Sequence, residues 1–115
     1  RFPKAMAART QEVCAMLVDR YDGDTARLWT EATTGRELVK RIGELPGFGK
    51  QKSQIFAALL AKQFGVRPEG WREATGAYGE ENSRRSVADI TDPASLLQVR
   101  EYKQQVKAAA KAAKA

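Results

Sequence analysis

The sequence predicts an all-α fold of about five helices arranged around a helix-hairpin-helix motif, with residues 1–115 forming one helical domain. Apolar residues recur at i, i+3 and i+4 spacing in several separate segments, which marks helices with one buried stripe. Helix start and stop signals fall at the borders of those segments. No stretch alternates apolar and polar residues as a half-buried strand does, and no internal repeat is present.

Arg1 to Lys4 reads as a lead-in, with Pro3 suited to a first helical turn. From Ala5 to Tyr21 the stripe is Met6, Val13, Met16, Leu17 and Tyr21, and Tyr21-Asp22-Gly23-Asp24 breaks the helix. Asp24 is placed to cap a short helix carrying Leu28 and a core Trp29. Thr34-Gly35-Arg36-Glu37 has the spacing of a capping box ahead of Leu38 and Ile42. After the turn at residues 45–52, Ile55, Phe56, Leu59, Leu60 and Phe64 form a wide apolar face, and Ala57, Ala58 and Ala61 allow close packing. Gly65 is the expected C-cap, and Pro68 prevents the helix from resuming.

Residues 66–91 are the least regular stretch, rich in glycine and polar residues, with Ser86 to Ile90 as a short helix or turn. Asp92-Pro93 then starts a last helix, whose buried face is Leu96, Val99, Tyr102 and Val106. Lys103, Lys107 and Lys111 share one face of it, read as a solvated face with a secondary, sequence-independent DNA contact as its alternative. Residues 107–115, the Ala/Lys end, bury little and are expected to fray.

Composition narrows the chemistry. The 115 residues suffice for one small core. Twenty Lys and Arg against fourteen Asp and Glu give a net charge of +6, which favours an anionic partner without naming it. The absence of histidine excludes His-based acid–base catalysis and His-ligated metals from this chain. Cys14 is the single cysteine, so an internal disulfide and a Cys-rich metal site are excluded too. Set among Val13, Ala15 and Met16, Cys14 reads as a buried small apolar residue of a protein of the reducing cytoplasm. No apolar run reaches the roughly 20 residues that span a bilayer. Beginning at Arg1 and not at a methionine, the chain reads as a fragment or a processed chain.

The stretch Leu45-Pro46-Gly47-Phe48-Gly49-Lys50-Gln51-Lys52 concentrates the functional signal. Glycines two apart allow a tight turn, and the turn runs straight into a helix. Unpaired N–H groups and the positive end of the helix dipole make that start an anion cradle, to which Lys50 and Lys52 add full charges. The anion that fits best is a nucleic-acid phosphate. The competing reading is that Leu45, Pro46 and Phe48 only fix a corner between two helices.

Leu45-Pro46-Gly47-Phe48-Gly49 resembles the hairpin of the HhH-GPD superfamily of base-excision DNA repair glycosylases. The run Phe64-Gly65-Val66-Arg67-Pro68-Glu69-Gly70-Trp71-Arg72-Glu73, with Arg85-Ser86-Val87-Ala88-Asp89, is similar to an actinobacterial HhH-GPD-type group, so the resemblance covers most of the chain. It implies the hairpin-containing part of a larger two-lobed protein that grips the backbone of double-stranded DNA without reading sequence. Gly47, Gly49 and the amides around Gln51 would hold a phosphate. Lys50 and Lys52 would strengthen that contact, and Phe48 at an exposed tip would pack on the sugar–backbone edge. Bifunctional members carry a nucleophilic lysine two residues after the second glycine. Here that position is Gln51, and Lys52 is rotated by about 100° around the helix, so lyase chemistry is not expected.

A monofunctional glycosylase also needs a carboxylate to stabilise oxocarbenium-like charge and orient water. Counting on from the hairpin without gaps places it at Glu69, the catalytic candidate. Aligning the helix-ending glycine instead moves the position to Arg72 and Glu73, and Asp89 is a further candidate beside its reading as a local cap. Trp71 is read as a loop anchor on the core, with base stacking as its alternative. No cofactor, metal or membrane is expected, and the expected state is a monomer in the cytoplasm at the nucleoid. Two readings therefore stand: a monofunctional DNA glycosylase, and a non-catalytic, sequence-independent DNA-binding or architectural module. A helical protein-interaction domain is a third.

Overall fold

A computed structural model describes residues 2–114; Arg1 of the lead-in and Ala115 of the tail lie outside the described residues. Six α-helices follow one another: α1 Pro3–Tyr21, α2 Arg27–Thr30, α3 Gly35–Gly43, α4 Lys50–Phe64, α5 Trp71–Thr75 and α6 Pro93–Lys114. Two 3-10 turns, Gly76–Gly79 and Val87–Asp89, complete the stretch between α5 and α6. The all-α expectation holds among the described residues, with α5 the helix that the irregular composition of residues 66–91 conceals.

The caps explain most of the borders. Pro3 occupies the first turn of α1, where its missing N–H costs nothing. At the other end Asp22 and Gly23 take left-handed backbone, φ 52° and 78°. Thr34 Oγ1 accepts from the Glu37 amide at 3.1 Å, as the capping box requires. The Glu37 carboxylate accepts from the Thr33 amide and hydroxyl, one residue ahead of the expected Thr34. Those two bonds, then Arg41, hold its carboxyl below the usual carboxylate range. Gly65 ends α4 at φ 72°. Asp92 accepts from the Ser95 amide at 2.7 Å, and Ser95 Oγ accepts from the Thr91 and Asp92 amides in return. The cap expected from Asp24 is made differently: its carbonyl, not its side chain, accepts from Arg27 N–H.

The core lies between α3 and α4. Leu28, Leu38, Ile42, Leu45 and Leu60 are buried there, each contributing roughly 1.5–3 kcal/mol by burial. The exposed ion pairs, such as Arg20–Glu44, contribute about 0–1 kcal/mol each, so apolar packing and not charge sets the arrangement. α4 packs on two sides. Against α3 it places Ala57 and Leu60, and its Gln54 and Gln63 side chains donate to carbonyls of the later segment: Ala74, and Val87, Ala88 and Ile90. α3 is joined to the later segment at its start. Gly35 N–H donates to the Glu69 carbonyl at 2.7 Å, and a methyl on Gly35 would collide with the backbone of Gly70 and Trp71.

The two long terminal helices reach beyond this centre. The radius of gyration is 15.7 Å, against about 13 Å for a compact domain of this length. α1 touches the core through Val13, Met16, Leu17 and Tyr21, while Met6 lies exposed. Cys14, expected to be buried, is exposed, because it falls on the solvent side of that narrow stripe. Phe64 is 70% exposed, since α4 passes the edge of the core before its last turn. Val106 is 47% exposed for the same reason in α6, whose contact with the rest is made by Ser95, Val99, Leu96 and Tyr102.

Gly35→Ala should destabilise the protein by about 1–3 kcal/mol, the usual cost of overpacking, because the colliding atoms are backbone and cannot swing away. Urea denaturation followed by circular dichroism measures it. A midpoint equal to that of the parent chain would contradict the close approach of α3 and α5.

Candidate nucleic-acid interface

The turn between α3 and α4 is held by its own backbone. Phe48 N–H donates to the Leu45 carbonyl at 3.1 Å, and Gly47 sits at φ 85° with Pro46 ahead of it. That is the type II arrangement, which calls for glycine at its third position. A side chain on Gly47 would also strike Arg9 Cδ from α1.

Gly49 is a different case. Its backbone is extended, φ −77° and ψ −176°, a region open to any residue, and an added Cβ would meet nothing within 4 Å. The fold therefore does not demand glycine here. Gly49 is the N-cap of α4, and its carbonyl accepts from the Ser53 amide at 3.0 Å and the Ser53 hydroxyl at 2.7 Å. No side chain caps this helix. The amides of Gly49, Lys50, Gln51 and Lys52 consequently find no acceptor among the described residues. A Ser, Thr, Asp or Asn at this position would have satisfied one of them.

Cations flank these amides on both sides. Lys52 lines a small cleft of about 180 Å³ against α1, shared with Arg9, Pro46, Gly47 and Phe48. Lys50 and Gln51 line a larger groove of about 580 Å³ on the other side, walled by Tyr78 and by Arg85, Tyr102, Lys103 and Lys107. Neither cleft is lined by a carboxylate. The clefts farther along the chain mix their charges, with Arg36 beside Glu69 and Glu73 in one, and Arg67, Arg72 and Arg84 beside Glu81 and Asp89 in another. Lys50 and Lys52 are exposed and belong to no ion pair among the described residues.

Several expectations change on this geometry. Phe48 is not an exposed tip. It is half-buried and meets Phe56 edge-on, ring centroids 6.0 Å apart, so it anchors the turn on the core. Gln51 is tied by its side chain, whose Nε2 donates to the Tyr78 hydroxyl at 3.0 Å. Lys52 does face away from Gln51, into the α1 cleft, as a one-residue step around a helix requires.

The carboxylate candidates lie elsewhere. Glu69 is exposed beside Thr34 and Arg36, and its carbonyl is spent on Gly35. Asp89 is buried; one oxygen accepts from Lys62 Nζ and the other from the Arg85 amide at 3.1 Å. The Arg85 bond is a local backbone contact of the kind expected of a cap, whereas the Lys62 pair ties the loop to α4 across 27 residues. Trp71 is half-buried at the start of α5 and lies outside the main core, its ring flanked by the guanidinium groups of Arg67 and Arg72 at 5.9 Å and 5.0 Å.

Arg9, Tyr78 and Arg85 escape a reading of the sequence. They come to the hairpin through tertiary packing of α1 and the segment after α5, and no local pattern marks them. Among the described residues no helix is long and apolar enough to cross a membrane, and no group of acidic, Cys or His side chains converges as a metal site. Comparison with protein-family models, curated proteins and solved structures finds no match for the chain.

Asp89→Ala should cost about 3–5 kcal/mol, because it strands a nearly buried Lys62 charge. Glu69→Gln, on an exposed side chain, should change stability by less than about 0.5 kcal/mol. Thermal and urea unfolding of the two variants check this; equal midpoints would contradict the assignment of Asp89 to the scaffold.

Proposed function

We propose that this chain is a sequence-independent DNA-binding module in which the start of α4 holds a backbone phosphate of double-stranded DNA. The observation that carries the reading is Gly49: a helix cap without a side chain, in open space, at a position where the fold itself does not need glycine. Glycine there leaves the amides of residues 49–52 to an outside acceptor and lets that acceptor approach the backbone closely. Lys50 and Lys52 add charge from both sides of the helix start, and Arg9 adds a third cation by way of α1. Contacts of this kind go to phosphates, so they position the module without reading bases.

A base-excision repair setting follows from the resemblance of the hairpin to that superfamily. Within it the chain acts as the DNA grip. Glycosidic chemistry would need a carboxylate beside the gripped strand, and Glu69 opens instead on the cleft with Arg36 and Glu73. Gln51 in place of a lysine leaves no amine for lyase chemistry at that position.

Fluorescence anisotropy with a short labelled duplex tests the proposal. Binding should weaken linearly in log–log form as salt rises, with a slope of about 0.9 per phosphate contact, and should not depend on sequence. Lys50→Glu should weaken it about tenfold or more, consistent with loss and reversal of one phosphate contact. Gly49→Ala should weaken it while leaving the unfolding midpoint within roughly 1 kcal/mol of the parent. Binding that is absent at low salt, or indifferent to both variants, would overturn the proposal.

A further inference from the structure

We propose that the DNA strand gripped at the start of α4 continues through the groove between α4 and α6, so that α6 is a second clamp on the same phosphodiester chain. This rests on the reading of the hairpin as a phosphate grip and extends it to a helix at the far end of the sequence.

Lys50, at the first position of α4, lines one groove with Lys103 and Lys107 of α6. The lysine stripe of α6, which by sequence alone reads as a solvated face with a secondary DNA contact as its alternative, is thus turned toward the hairpin. Arg85 adds a fourth cation from the loop before α6. Its guanidinium is fixed in place: Nη1 donates to the Tyr102 hydroxyl at 2.8 Å, and the group lies 5.3 Å from the centre of the Tyr102 ring. The one acidic group paired with these four is Glu80, 3.8 Å from Arg85 and outside the groove lining. Lys50, Lys103 and Lys107 have no ion-pair partner among the described residues.

Four cations facing one groove with no carboxylate in its lining repel one another, and a small core gains nothing from such an arrangement. A polyanion relieves that repulsion. Lys103 and Lys107 are one helical turn apart, about 6 Å along the axis, and their flexible stems can follow phosphates in succession along a strand. Lys111 extends the row by a further turn. Ala and Lys are strong helix formers, so α6 stays helical well past its last core contact at Tyr102, and its outer turns carry charge instead of apolar surface.

The test compares two charge-matched double variants of the whole chain by anisotropy with the same duplex across a salt series. Lys103→Glu with Lys107→Glu cancels the net positive charge of the groove, leaving Lys50 and Arg85 against two carboxylates. Lys4→Glu with Arg36→Glu makes the same change in net charge at two exposed first-turn positions outside it, where an acidic residue suits the helix dipole. Circular dichroism establishes that both keep the parent helix content. The groove variant should lose affinity at least tenfold, and its salt slope should fall by about 1.8, two contacts at about 0.9 each. The control should lose less than about threefold, with its slope unchanged, because long-range charge is screened beyond roughly 10 Å. Equal losses in the two variants would overturn the clamp while leaving the hairpin grip standing, provided Lys50→Glu still weakens binding. A parent chain that binds no duplex would overturn both.

Discussion

Burial of Ile42, Leu45 and Leu60 at the corner between α3 and α4 fixes the direction in which α4 begins. Phe48 packs on Phe56 just beyond that corner, and the Leu45–Phe48 hydrogen bond closes the turn. With the turn anchored from within, its two glycines have different tasks. Gly47 answers to the backbone, which needs φ 85° there. Gly49 answers to nothing inside the protein. Apolar packing at the corner thus holds an uncapped helix start out to solvent, and the functional reading depends on that exposure.

Charge is distributed in agreement with this. A net charge of +6 says little by itself, since surface cations are common and long-range attraction is unselective. Placement says more. The two clefts beside the start of α4 carry cations without carboxylates, whereas the clefts around Arg36 and Trp71 carry both signs. The buried charges follow another logic: Lys62 and Asp89 satisfy each other, and the Arg85 amide takes the second Asp89 oxygen, so this pair stabilises the loop that precedes α6.

Much of the fold was legible in the sequence because its borders are set by local chemistry. Pro3, the Thr34–Glu37 box, Gly65 and Asp92-Pro93 all act within five residues of where they stand. The failures share a cause. Cys14, Phe64 and Val106 lie on helices longer than the core they serve, so a periodic apolar stripe overstates what is buried. α5 is five residues long and is held by the tertiary approach of Gly35, which no local pattern announces. At the site, the cradle of residues 47–52 was readable as a turn into a helix. Its flanking Arg9 and Arg85, and the inward facing of Lys103 and Lys107, arise from how distant elements pack.

On the proposed reading, the hairpin and α6 together would hold a strand by its phosphates along two helices, with the amides of one and the lysines of the other. The proposed grip at the start of α4 is its central element, and the amides there can be watched individually. Two-dimensional NMR of the 15N-labelled chain, titrated with a short DNA duplex at low salt, reads each backbone N–H. The account predicts that the amides of Gly49, Lys50, Gln51 and Lys52 shift most and move together with one affinity. If the spectrum responds while those amides stay fixed, or does not respond at all, the account is contradicted.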